Sequence, residues 1–152
     1  MKVAVYTRLD GGVSIMRPGI RARRLEDETD DAFMTRIMAI SIPPDASDIR
    51  VIDESEVPAD KTFRNAWTLG TGIEVDRAKA EALHMDRIRV VRDRELGRLD
   101  KEIRKAEDEG GVATELRAER GRLRDIPQTF DLSQAQTLED LKQVWPEGLP
   151  RT

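Results

Sequence analysis

Residues 76–126 constrain this chain more than any other stretch. The segment VDRAKAEALHMDRIRVVRDRELGRLDKEIRKAEDEGG is long, charged and free of proline, and VATELRAERGRLRDI follows it directly. Asp76 offers a carboxylate to the orphan N–H groups of a first helical turn. Gly110-Gly111 supplies the left-handed backbone that ends a helix at low cost. Gly97 is the only glycine between them, costing about 1 kcal/mol against alanine. At about 1.5 Å per residue the helix would run roughly 50 Å.

Its apolar residues, Ala78, Ala82, Met85 and Ile88, then Leu96, Leu99, Ile103 and Ala106, recur every three or four positions within each run, which makes one narrow stripe. Val112, Leu116, Leu123 and Ile126 repeat the pattern on the returning arm. Folding about the glycine pair sets Ile103 near Leu116 and Leu96 near Leu123, and leaves Leu99 facing the methylene stem of Arg120. An antiparallel helical hairpin is expected. The shorter arm covers the long one only beyond about Arg94. The first half therefore needs the rest of the chain or a second subunit. Arg92 breaks the stripe, which argues against a plain extended two-stranded coiled coil. Acid–base pairs three or four residues apart, such as Asp100 with Arg104 and Glu95 with Arg98, read as a solvated helical face.

A chain of 152 residues that is 38% hydrophobic, 37% charged and only 4% aromatic supports a small core, not two large ones. Spending a third of its length on a charged hairpin suggests a subunit completed by neighbours, a dimer or trimer. The net charge of −4 is spread among mixed signs and speaks against a nucleic-acid binder. With no cysteine there is no disulfide or thiolate chemistry, which fits a reducing cytoplasm. No apolar run reaches the roughly 20 residues of a membrane span.

Ahead of the hairpin, KVAVY and GVSIM are β-rich runs joined through Leu9-Asp10-Gly11-Gly12, a tight-turn sequence. Arg17, Arg21, Arg23 and Arg24 form the one local basic cluster, answered by Glu26, Asp27, Glu28, Asp30 and Asp31. Thr29 is placed to cap a helix over DDAFMTRIMAISI, with Phe33 and Ile37 inward. After Pro43-Pro44, DIRVIDESEVP reads as a strand whose apolar side carries Ile49, Val51 and Ile52. Residues 58–75 read as a linker docked by Trp67, with Phe63 and Trp67 as an exposed patch the alternative. Beyond Pro127 a loop leads to Thr137, the cap of a helix of two to three turns over TLEDLKQVW that ends before Pro146.

The expected fold is thus α+β: a head over 1–57, a linker over 58–75, the hairpin over 76–126, and a loop with a short helix over 127–152. No catalytic, cofactor or metal site is legible. His84 is the only histidine, and no phosphate loop or nucleophile elbow occurs. Asp53, Glu54 and Glu56 read as surface acids. The residues best suited to protein contacts are Phe63, Trp67, Met85, Ile88 and Trp145.

Thr62-Phe63-Arg64-Asn65-Ala66-Trp67, Val75-Asp76-Arg77-Ala78-Lys79-Ala80, Arg87, Arg94, Leu99-Asp100, Leu123-Arg124-Asp125-Ile126-Pro127, Leu138-Glu139-Asp140-Leu141 and Trp145-Pro146 together give the chain a further likeness. Over 62–146 it resembles small accessory proteins of tailed bacteriophages, described as tail-associated or tail-fibre assembly proteins. The resemblance implies a non-enzymatic virion protein of tail, neck or capsid. It would meet other phage structural proteins in the host cytoplasm during assembly and remain in the virion. The alternative it implies is a tail-fibre assembly chaperone that leaves the particle, for which Met34, Met38 and Trp67 would form the client surface. A third reading places a phosphorylated ligand near Arg21, Arg23 and Arg24.

Overall fold

The computed structural model describes residues 1–19 and 22–151. The fold is α+β, and the chain divides into two compact units, Met1–Asp76 and Arg77–Thr152.

In the first unit, strands β1 (Lys2–Thr7), β2 (Val13–Met16) and β3 (Ser47–Asp53) form an antiparallel sheet in the order β2-β1-β3. The β1–β2 turn forms where Asp10-Gly11 invites it. Gly11 takes a φ of +78°, the Asp10 carboxylate accepts the Gly12 N–H at 2.9 Å, and the Arg8 N–H reaches the Gly12 carbonyl at 2.8 Å.

Helix α1 (Asp30–Ser41) begins at Thr29, whose hydroxyl accepts the Ala32 N–H at 3.2 Å. It covers one face of the sheet, where Ala4, Met16, Phe33 and Met34 form a core bordered by Tyr6, Ile37, Met38 and Ile42. Alternation along β1 sends Val3 and Val5 to the opposite face. There they are buried, and the hairpin of β4 (Trp67–Leu69) and β5 (Ile73–Val75) lies against β1 and β2. The expected linker over 58–75 therefore includes a second small hairpin, preceded by a 3-10 turn at Arg64–Ala66. Strand β3 departs from expectation differently. It is a sheet edge, and its Ile49 and Val51 side chains are exposed.

The second unit is built on α2 (Arg77–Asp108), 32 residues and so about 48 Å long, and α3 (Thr114–Thr129), 16 residues. The turn between them is a Schellman closure. The Gly111 N–H bonds the Ala106 carbonyl at 2.8 Å, the Gly110 N–H bonds the Glu107 carbonyl at 3.0 Å, and Gly110 has a φ of +74°. Arg120 Nε meets Asp100 at 2.6 Å, and Arg117 pairs with Glu107. These pairs fix the antiparallel register in which Leu99, Ile103, Leu123 and Ile126 are buried.

Helix α3 does not stop before Pro127 but runs through it to Thr129. The amide that proline removes is the one that would bond Leu123, and the last turn closes without it. The Thr129 hydroxyl donates to the Asp125 carbonyl at 3.0 Å, and the Phe130 N–H donates to the Ile126 carbonyl at 2.8 Å. A six-residue helix, α4 (Leu138–Gln143), starts at a capping box between Thr137 and Asp140.

Candidate functional site

The buried line on the first half of α2 is not the one that counting apolar residues suggests. Ala78 and Ala82 are exposed and Met85 is half-buried, whereas Ala80, His84, Ile88 and Val91 are buried. The line is shifted because His84 is part of it. Its Nε2 lies 2.7 Å from the Val144 carbonyl, an atom that only accepts, so Nε2 carries the proton in this contact. The indole of Trp145 meets the imidazole edge-on, 5.9 Å between centroids at 74°. Trp145 is itself held by its Nε1, which donates to the Leu149 carbonyl at 2.9 Å. At the start of α2, Arg77 donates to the Ala135 carbonyl at 2.5 Å. Arg122 of α3 donates to the Glu147 carbonyl at 3.0 Å. The half of α2 beyond the reach of α3 is thus covered by the segment from Ala135 to Leu149, as the arm-length mismatch required of some partner.

Of the five residues singled out for protein contacts, Phe63 and Trp67 belong to the first unit and both are buried. Met85, Ile88 and Trp145 belong to the second, where Ile88 is fully buried and the other two are half-exposed. The structure joins Trp145 to α2 through His84, a residue the sequence reading set aside. The clue was available: His84 stands four residues after Ala80 and four before Ile88, at helical spacing.

Two members of the basic cluster, Arg17 and Arg24, are engaged by acids. Arg17 bonds Glu54 at 2.6 Å, and Arg24 pairs with Asp30 while its guanidinium lies 5.2 Å from the centre of the Phe33 ring. Arg36 approaches the same ring at 5.5 Å and grips Glu28 through two contacts of 2.8 Å. That grip lowers the Glu28 carboxyl to about 2. Arg23 is exposed, and Arg21 lies outside the described residues.

The acids of the β3 end also serve local structure. Asp53 accepts the Ser55 N–H at 3.1 Å, Glu56 accepts the Asp53 N–H at 2.8 Å, and Glu54 is the partner of Arg17. Among the described residues no group of three His, Cys, Asp or Glu is placed to hold a metal ion, and no helix is long and apolar enough to cross a membrane.

What remains open is shape and edge. An open depression of about 430 Å³ lies between the β1–β2 turn and the α1–β3 loop, its lining including Tyr6, Arg8, Leu9, Asp10, Pro43 and Asp45. Leu9, Ile40, Ile49 and Val51 are exposed on the first unit. No known protein family matches the chain, and no curated protein or solved structure matches it either.

Proposed function

We propose that this chain is a non-enzymatic protein of a tailed-bacteriophage particle, a component of tail, neck or capsid that works by presenting fixed surfaces to other structural proteins. The observation behind this reading is where the residues carrying the phage resemblance lie. Phe63, Ala66, Trp67, Leu99, Leu123, Ile126, Leu141 and Pro146 are buried. Two of the polar members form surface ion pairs: Arg124 bonds Asp125 at 2.9 Å, and Asp100 receives Arg120 at 2.6 Å. Core positions and surface ion pairs of this kind hold a scaffold together. A catalytic family would instead keep polar groups converging in a cleft.

The chaperone alternative draws on Met34, Met38 and Trp67 as a client surface. Met34 and Trp67 are buried and Met38 is half-buried, so that surface would have to open before it could repack on a fibre.

The reading is tested on gradient-purified particles of the phage that encodes the chain. Mass spectrometry should find the protein co-migrating at fixed stoichiometry with the major structural proteins. Its presence in infected lysate and absence from every particle fraction would sink the virion reading.

A further inference from the structure

Asp10-Gly11 is the one Asp-Gly step in the sequence, and the one asparagine, Asn65, precedes alanine. Aspartate before glycine is the pair most open to succinimide chemistry, because glycine has no side chain to shield its amide. In that reaction the glycine nitrogen attacks the aspartate side-chain carboxyl carbon. A C–N bond forms, and one carboxyl oxygen leaves as water, carrying the amide proton and a proton taken up by the carboxylate. Water then opens the ring. Opening at the side-chain carbonyl restores aspartate, and opening at the main-chain carbonyl leaves isoaspartate, whose main chain is longer by the Cβ.

Each group that must react is occupied in this turn. The Gly11 N–H donates to the Arg8 carbonyl at 2.9 Å. Asp10 Oδ1 accepts the Gly12 N–H at 2.9 Å and Arg8 Nε at 3.1 Å, and Oδ2 accepts Arg8 Nη2 at 3.2 Å. The guanidinium also crosses to β2, where Nη1 donates to the Val13 carbonyl at 3.2 Å and to the Ser14 hydroxyl at 3.1 Å. The Gly12 amide and the Arg8 guanidinium hold the Asp10 carboxyl below its ordinary range, so little of it is in the neutral form that can lose water. Gly12 leaves the guanidinium its seat: a Cβ there would collide with Arg8 and stand 3.1 Å from Asp10 Oδ1. With side chains 42% and 67% exposed, the Arg8–Asp10 pair adds little to stability. Its effect is on which atoms are free to react.

We infer that Asp10-Gly11 is a latent isoaspartate site and that Arg8, seated over Gly12, holds it closed. Conversion would lengthen the main chain just beyond Thr7↔Val13, the pair that ends the β1–β2 ladder. It would also disturb the bond from the Arg8 N–H to the Gly12 carbonyl, 2.8 Å in the intact turn. Val13 and Met16 of β2 are buried, so a slackened turn loosens a strand that carries core.

The full chain is aged in warm neutral buffer beside Arg8→Gln and Gly12→Ala. Isoaspartate at residue 10 is followed by separating the isobaric peptides and fragmenting them to tell the two linkages apart. Wild type aged in urea supplies the rate of the released step. Arg8→Gln removes the clamp, whereas Gly12→Ala displaces it and leaves every charge in place. The folded wild type should form isoaspartate several-fold more slowly than the chain in urea, and each variant several-fold faster than the folded wild type. In Arg8→Gln the Asp10 carboxyl, followed by NMR, should also titrate at higher pH, a change that loss of packing alone would not produce. Far-UV circular dichroism reports whether each variant stays folded, and if one unfolds, the other carries the test. A folded wild type that isomerises as fast as the unfolded chain overturns the inference. So does a rate left unchanged in a folded variant.

Discussion

Two glycines of α2 and its turn should respond oppositely to the same substitution. A Cβ built on Gly97 or on Gly110 meets no atom within 4 Å, so a steric clash decides neither case. The backbone does. Gly97 is mid-helix, where alanine in place of glycine stabilises by about 0.5–1 kcal/mol. Gly110 sits at a φ of +74° as the left-handed residue of the Schellman turn. A Cβ there costs about 1–2 kcal/mol, of which roughly 0.4–1 kcal/mol is offset because alanine also restricts the unfolded chain. The net loss is on the order of 1 kcal/mol. Urea unfolding followed by the helical far-UV signal should therefore move to higher urea for Gly97→Ala and to lower urea for Gly110→Ala. For a small domain each shift would be on the order of 0.5 M. Shifts in the same direction, or a neutral Gly110→Ala, would refute the argument from backbone conformation. A destabilising Gly97→Ala would instead mean that another chain covers that face of α2 in solution.

Leu123 is 2% exposed between the hairpin arms, so Leu123→Ala should cost about 2–5 kcal/mol in the same urea titration; a loss below 1 kcal/mol would mean that the arms do not pack as described. Because Arg36 lowers the Glu28 carboxyl to about 2 from an ordinary 4.5, the pair stabilises the fold fully above pH 4.5 and loses that contribution as pH falls toward 2. Glu28→Gln removes this dependence. The stability gap between wild type and variant, followed by Trp67 fluorescence in a Trp145→Phe background, should be widest at neutral pH and close across that acidic window. A gap that stays constant with pH would show that Glu28 does not act as an ionised partner.

The hairpin was the most legible part of the chain because its signals are local. A proline-free run with helical periodicity, a glycine pair and a shorter run of the same period need no distant information. The first half of α2 was harder. Its buried line passes through Ala80 and His84, and an imidazole counts as core only once a carbonyl some 60 residues away accepts its proton. The β4–β5 hairpin was missed because three-residue strands carry almost no periodicity. The Gly70-Thr71-Gly72 turn between Trp-Thr-Leu and Ile-Glu-Val was its one signal. Strand β3 was placed correctly in the chain. Its inward face was misjudged because Ile49 and Val51 look like core wherever they stand, and only sheet order makes them an edge. Of the five candidate contact residues, Phe63, Trp67 and Ile88 are apolar enough to be either interface or interior. Composition cannot separate those fates, and burial assigns all three to the interior.

The return of residues 135–149 to the start of α2 also sets an order of events during synthesis. The α2–α3 hairpin closes on local contacts and can form once Thr129 has left the ribosome. His84 stays uncovered until Val144 and Trp145 emerge behind it. Long-range contacts of this kind form late and leave apolar surface open in the interval. Val144 and Trp145 therefore act as a completion mark for the helical unit. A chain cut short after α3 would keep its hairpin but leave His84 on α2 without the carbonyl and the indole that enclose it.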